Sequence, residues 1–182
     1  MLIHFIFSAA VLCAYLYLLF IIWSIVYPER RVWPPGKISW KLFLSWGVFY
    51  PWAGLALALM VLDWNAGRVP DEIRLGLGLP LALLGLGLMG WGVYALGVEN
   101  THGMRGRFVT RGPYRFTRNP QYVGDIVMLA GLILIANSTL LTVVNLLMIL
   151  SFVLMPWAEE IWLEEEYGQD YLSYKTRAPR FL

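Results

Sequence analysis

Charge, cysteine and histidine are all scarce in this sequence. Only 14% of its 182 residues are charged and 59% are hydrophobic, which leaves too little polar surface to clothe a soluble domain. The single Cys13 excludes an intrachain disulfide, and because it lies in an apolar run it does not report a redox compartment. His4 and His102 are the only histidines, with no cysteine beside either, so no metal centre is expected. A formal charge of +2 without a dense basic block gives no nucleic-acid pattern, and no nucleic-acid partner is expected. There is no G-x-S-x-G turn, Walker-type loop or dinucleotide fingerprint; Gly85-Leu86-Gly87-Leu88 falls inside an apolar segment, where it cannot cradle phosphate. No Lys or Arg precedes Arg30, so the first run lacks the basic start of a secretory signal, and Leu12 is not the small residue a lipoprotein cysteine needs before it. That run reads as a spanning helix.

Long hydrophobic runs are what the chain does have. They cover about 3–27, 42–62, 75–98, 121–136 and 139–157, and crossing the hydrocarbon core takes on the order of 20 apolar residues. The expected fold is all-α and polytopic, a single membrane unit over residues 1–182 with about five transmembrane helices. The fourth run is short. Asn137-Ser138-Thr139 separates it from the fifth, so the two form a tight C-terminal helical hairpin, and Pro120 suits the first turn of its leading helix. Gly78, Gly85 and Gly92 recur every seven residues, with Gly90 and Gly97 nearby, and present a face on which another helix can approach closely.

Basic residues set the expected orientation. Arg30, Arg31, Lys37 and Lys41 lie in the first loop, Arg105, Arg107, Arg111, Arg115 and Arg118 in the third, and Lys175, Arg177 and Arg180 in the tail. Those segments belong on the cytoplasmic side, with the N-terminus outside. The second loop carries only Arg68 and Arg74 against Asp63, Asp71 and Glu72.

Two polar clusters then fall on the same side of the bilayer: 111–124, which ends in Asn119-Pro120-Gln121-Tyr122-Val123-Gly124, and Glu159-Glu160 at the close of the hairpin. Asp125 sits about a turn into the fourth helix, where a charged side chain facing lipid costs about 2.5–3.5 kcal/mol. It either lines a polar pocket or rests at the interface, favoured by the helix dipole. An acid at Glu159 or Glu160 either holds an ammonium group or pairs with Arg115 or Arg118, and the residues alone favour the ion pair.

These residues resemble the integral-membrane methyltransferases that include isoprenylcysteine carboxyl methyltransferase and the phospholipid N-methyltransferases. The likeness runs through Phe108-Val109-Thr110-Arg111-Gly112-Pro113-Tyr114, Arg118-Asn119-Pro120-Gln121-Tyr122-Val123-Gly124, Glu159-Glu160, the Gly168, Tyr171 and Tyr174 spacing, and Pro179-Arg180-Phe181, over residues 99–182. It implies S-adenosylmethionine as cofactor, in a cytoplasmic-side pocket. By position, Arg107, Phe108 and Val109 would lie along it, Tyr114, Asn119, Pro120, Gln121 and Tyr122 would contact it, and Glu159 would take its amino group. Two residues depart from the family pattern. Asn119 stands where the family usually has His, and Met155 where the carboxyl-methylating members have Arg.

The resemblance therefore implies methyl transfer to a lipophilic or amphiphilic small molecule drawn from the membrane, with a carboxylate acceptor disfavoured. No residue is singled out as catalytic; Asp125 and Glu160 are the nearest proton acceptors. Two rivals are a sterol-type membrane reductase, which needs a longer bundle and a larger nucleotide site, and a non-enzymatic scaffold or small transporter, which needs a polar pair at mid-membrane depth. The sequence fixes no oligomeric state.

Overall fold

The computed structural model describes residues 1–181. Helices α1 (Leu2–Val26), α2 (Trp40–Leu62), α3 (Asp71–Gly76), α4 (Gly78–Leu96), α5 (Val98–Thr101), α6 (Pro120–Ala136) and α7 (Thr139–Lys175) account for the fold, and there is no β-strand among the described residues. Four stretches are long and apolar enough to cross a bilayer: α1, α2, α3 with α4, and α7. The chain is thus an all-α polytopic membrane protein. Helix α6 has 17 residues, about 25 Å at 1.5 Å per residue, and is the short member expected from the sequence.

Short polar connections hold the end of the bundle remote from the two polar clusters. Asn137 takes the left-handed conformation between α6 and α7. Its side-chain oxygen accepts from the Val69 amide (3.1 Å), and its amide nitrogen donates to Asn65 Oδ1 (2.7 Å). Ser138 caps α7 by accepting from the Leu141 amide and donates to Asp63. Buried Arg74 donates to the Ile135 carbonyl and to Asp71. The interruption read at Asn137-Ser138-Thr139 is therefore a turn whose side chains, with Arg74, bond several of the helix-end groups beside it.

Glycine governs the pairing of α4 with α6. A Cβ at Gly85 would run into the backbone of Met128 and Gly124, one at Gly124 into the backbone of Met89 and Gly85, and one at Gly131 into that of Ala82 and Gly78. Backbone thus packs on backbone, as small residues allow in membranes. The expected face is real for Gly78, Gly85 and Gly92, all buried. Gly90 and Gly97 lie off it, with open space where a side chain would be.

At the other end, the first loop and the third loop meet. The Gly36 amide donates to the Gly103 carbonyl (2.9 Å) and the Arg105 amide to the Gly36 carbonyl (2.9 Å). Arg31 and Arg105 then reach α7 at Glu165 (2.8 Å) and Glu166 (2.6 Å). Three basic segments therefore share one end of the bundle.

Candidate functional site

The segment between α4 and α6 is irregular because its residues demand it. Gly112 adopts φ +62, Pro113 starts a short 3-10 turn, and Pro120 opens α6 where its missing N–H leaves no helical bond unmade. Tyr114 is buried beneath the turn, and its carbonyl accepts from the Tyr174 hydroxyl (2.6 Å). Burial pushes the Tyr114 phenol well above its ordinary range, so it stays protonated.

This segment, the start of α6 and the later turns of α7 enclose a cavity of about 760 Å³, mouth included. Of the residues singled out from the sequence, Arg107, Phe108, Val109, Tyr114, Asn119, Gln121, Tyr122 and Glu159 line it. Pro120 does not; it is buried at the helix start. On one side Phe108 stacks on Tyr167 (centroids 4.9 Å apart) and meets Tyr174 edge-on (5.7 Å). Tyr167 is fixed in turn by donating to the Gly106 carbonyl (3.0 Å).

The two adjacent glutamates have different surroundings. Glu160 is 5% exposed and fully engaged: Arg180 binds it through Nε (2.7 Å) and Nη2 (2.9 Å), Arg118 approaches at 3.2 Å and Lys175 at 3.6 Å. The ion pair favoured from the sequence exists, at Glu160 with Arg118, but Arg115 takes no part and stacks on Phe116 instead. Glu159 has no cation among the described residues. Its Oε1 accepts from Trp33 Nε1 (2.8 Å) and from the Tyr122 hydroxyl, which leaves Oε2 without a donor. Arg118, which also lines the cavity, keeps Nε and Nη1 without a partner. One carboxylate lacking a cation and one guanidinium with unused donors therefore border the same space.

Asn119 has a definite task in the structure. Its amide nitrogen donates to the Arg180 carbonyl (2.9 Å), and Thr117, 1% exposed, donates to the same oxygen (3.0 Å). The Arg118 amide donates to the Pro179 carbonyl (2.9 Å). Together with the forked Arg180–Glu160 contact and the Arg180 guanidinium 4.1 Å from the Trp157 ring centroid, these bonds fold the chain's last residues over the loop. The hydrogen bond to Glu160 raises the Arg180 pKa, so the clasp stays charged.

A second cavity of about 1,220 Å³, mouth included, lies within the helical bundle and shares Thr101, Gln121 and Tyr122 with the first. It extends along α7 from Met155 to Leu141, about 21 Å of helix. Asp125 lines it, and so does Met155; the polar pocket expected around Asp125 is a mainly apolar one. No Lys, Arg or His lines it.

Trp33 and Arg180, with Asn100 and Tyr167 of the cavity lining, are contributors that the sequence reading missed. Trp33 belongs to a Trp-Pro-Pro run in the first loop, and that run, sitting between two apolar helices, was the only hint. Arg180 lay inside a motif already quoted, but counted there only as a basic residue of the tail.

The chain is an all-helical membrane bundle with a partly charged cavity at its basic end and a mainly apolar one within the bundle, the two sharing three lining residues. A sequence model for phospholipid methyltransferases matches residues 73–170, from α3 into the last turns of α7. This match spans more than half of the chain, which belongs to the phospholipid methyltransferase family and is thereby a membrane methyltransferase. No curated protein and no solved structure matches it.

Proposed function

We propose that the chain transfers a methyl group from S-adenosylmethionine, held in the cavity at the basic end, to a lipophilic acceptor held in the cavity within the bundle. The observation that carries this reading is the unlike state of Glu159 and Arg118. An amino-acid group brings one ammonium and one carboxylate, and here a carboxylate without a cation and a guanidinium with free donors line one cavity. Phe108 and Tyr167 offer a flat aromatic surface for a purine, and Asn100, whose amide nitrogen donates to the Arg107 carbonyl (2.8 Å), steadies the strand of chain beside it.

When bound, the cofactor supplies an electrophilic methyl on a sulfonium. The protein's part is to align and to exclude water. Tyr122 stands between the two cavities, stacked on Phe152 (6.0 Å) and bonded to Glu159, and so ties the cofactor wall to the acceptor wall. Met155 in the acceptor wall, with no cation near it there, speaks against a carboxylate acceptor, whose burial would need a counter-charge.

Purified protein in detergent should bind tritiated S-adenosylmethionine and lose it to S-adenosylhomocysteine, and should give little or no ester from N-acetylfarnesylcysteine. Absence of cofactor binding in folded protein would refute the reading.

The basic end is proposed to face the cytoplasm, where this cofactor is found, with the N-terminus outside. The clustering of Arg31, Arg105 and Arg180 at one end supports it. A reporter fused to the C-terminus should be active only as a cytoplasmic one, and activity on the far side would reverse the orientation.

A further inference from the structure

Two arginines share one buried carboxylate, and the way they share it decides what remains for the cavity at the basic end. Arg180 takes both oxygens of Glu160, Nε on Oε1 (2.7 Å) and Nη2 on Oε2 (2.9 Å), the forked geometry in which a guanidinium binds a carboxylate most strongly. Arg118 is thereby held to one approach, Nη2 to Oε1 at 3.2 Å. Its Nε and Nη1 have no partner among the described residues, and it lines the cavity. Lys175, at 3.6 Å from Glu160, is itself engaged by Glu164 at 2.5 Å.

The chain fixes Arg180 where this arrangement needs it. Three consecutive residues centred on Arg118 bond the tail backbone: Thr117 Oγ1 and the Asn119 side-chain nitrogen donate to the Arg180 carbonyl, and the Arg118 N–H donates to the Pro179 carbonyl. The two arginines are thus tied together through the backbone and meet one acid through their side chains.

We propose that Arg180 is a positioning residue for the cofactor: by satisfying Glu160 it keeps the Arg118 guanidinium uncommitted, so that Arg118 binds the carboxylate of the cofactor's amino-acid group. This rests on the methyl-transfer reading above and deepens it. Glu160 is then the cofactor's competitor for Arg118. A buried carboxylate that loses its partner draws the nearest cation, because its desolvation is left without compensation. Without the Arg180 guanidinium that cation is Arg118, which already touches Oε1 and would turn its own fork onto Glu160. The cavity would lose its donors for a carboxylate, while Glu159, held by Trp33 and Tyr122, would keep its place for the ammonium.

Arg180→Met removes the charge and little else. The bonds from Thr117, Arg118 and Asn119 go to backbone oxygens, and a methionine still covers the Trp157 ring that the guanidinium now lies over.

Calorimetric titration of the purified protein with two ligands separates positioning from folding. S-adenosylhomocysteine carries the amino-acid group, and 5′-methylthioadenosine is the same nucleoside thioether without it. Arg180→Met should weaken the first by about tenfold or more and leave the second within about twofold, since one charge-assisted contact is lost and the nucleoside site is untouched. Adding Glu160→Gln, which removes the competing charge, should restore S-adenosylhomocysteine binding, and Glu160→Gln alone should not weaken it. In an Arg118→Met background, Arg180→Met should cost nothing further. Arg180→Lys keeps a charge at Glu160 but cannot fork, so it should show a smaller loss of the same kind, and it stands in if the methionine variant does not fold. Equal losses of the two ligands, no loss of either, or no rescue by Glu160→Gln would mean that Arg180 only holds the tail in place and would overturn the proposal. Equal affinity of the wild type for the two ligands would overturn it too. Failure of the wild type to bind either ligand would instead strike the methyl-transfer reading, and the proposal with it.

Discussion

Glu159→Gln should weaken S-adenosylmethionine binding by roughly 10- to 100-fold while leaving the protein folded. A hydrogen bond to a charged group contributes about 1.5–3 kcal/mol, and in the proposed complex Glu159 supplies the charge that meets the cofactor's ammonium. The variant tests charge more than shape. A glutamine can present its carbonyl oxygen to Trp33 and to the Tyr122 hydroxyl, the two donors that Glu159 Oε1 now satisfies, so neither is left orphaned. Trp33→Phe should act in the opposite sense on the fold: it removes one of those donors, keeps the charge, and should cost less in affinity than in thermal stability. Calorimetric titration of the cofactor into both variants, with melting curves alongside, gives the comparison. If Glu159→Gln binds as the wild type does and only its melting temperature falls, Glu159 is a structural acid and the cofactor's ammonium lies elsewhere.

How far the sequence could be read depends on whether a residue acts through its own segment or through a distant one. The helices were legible because apolar runs are long and charges interrupt them; the turn at Asn137-Ser138 and the proline start of α6 were legible because their chemistry is local. The motif residues were also readable, and eight of those singled out, five in the loop, two in α6 and Glu159 in α7, line one cavity. What stayed hidden was the division between Glu159 and Glu160. They are neighbours with the same side chain, and their different surroundings come from Arg180, 20 residues from Glu160, and Trp33, 126 residues from Glu159. No local pattern encodes either partner. Asp125 was ambiguous for the same reason: its depth in α6 was plain, but the aromatic residues that line the same cavity come largely from α1, α2 and α7.

The glycine face shows the opposite case, a pattern in which the spacing was visible and the partner was not. Gly85→Leu should be far more damaging than Gly90→Leu, although the two positions lie in one helix and the change is the same. The leucine Cβ at Gly85 would meet the amide nitrogen and Cα of Met128 and the carbonyl oxygen of Gly124. Those are backbone atoms of α6, so no side chain can turn aside, and α4 and α6 must separate. Overpacking costs about 1–3 kcal/mol even where side chains can adjust, and a contact of backbone with backbone stands beyond that range. At Gly90 nothing lies within 4 Å of the added atom, and leucine is the better helix former. Gly85→Leu is therefore expected to lower the melting temperature by roughly 10 °C or more, at about 2–4 °C per kcal/mol for a chain of this size, or to prevent recovery of dispersed protein. Gly90→Leu should melt at or above the wild-type temperature. The site should register the same change, because α6 carries Gln121, Tyr122 and Asp125 on the turns just above the contact, and a displacement of about 1 Å at reacting groups is enough to cost on the order of 100-fold in rate. Should the two variants melt alike, the close approach of α4 to α6 does not hold the bundle together, and the position of Tyr122 between the cavities must be maintained by its bond to Glu159 and its stacking on Phe152 alone.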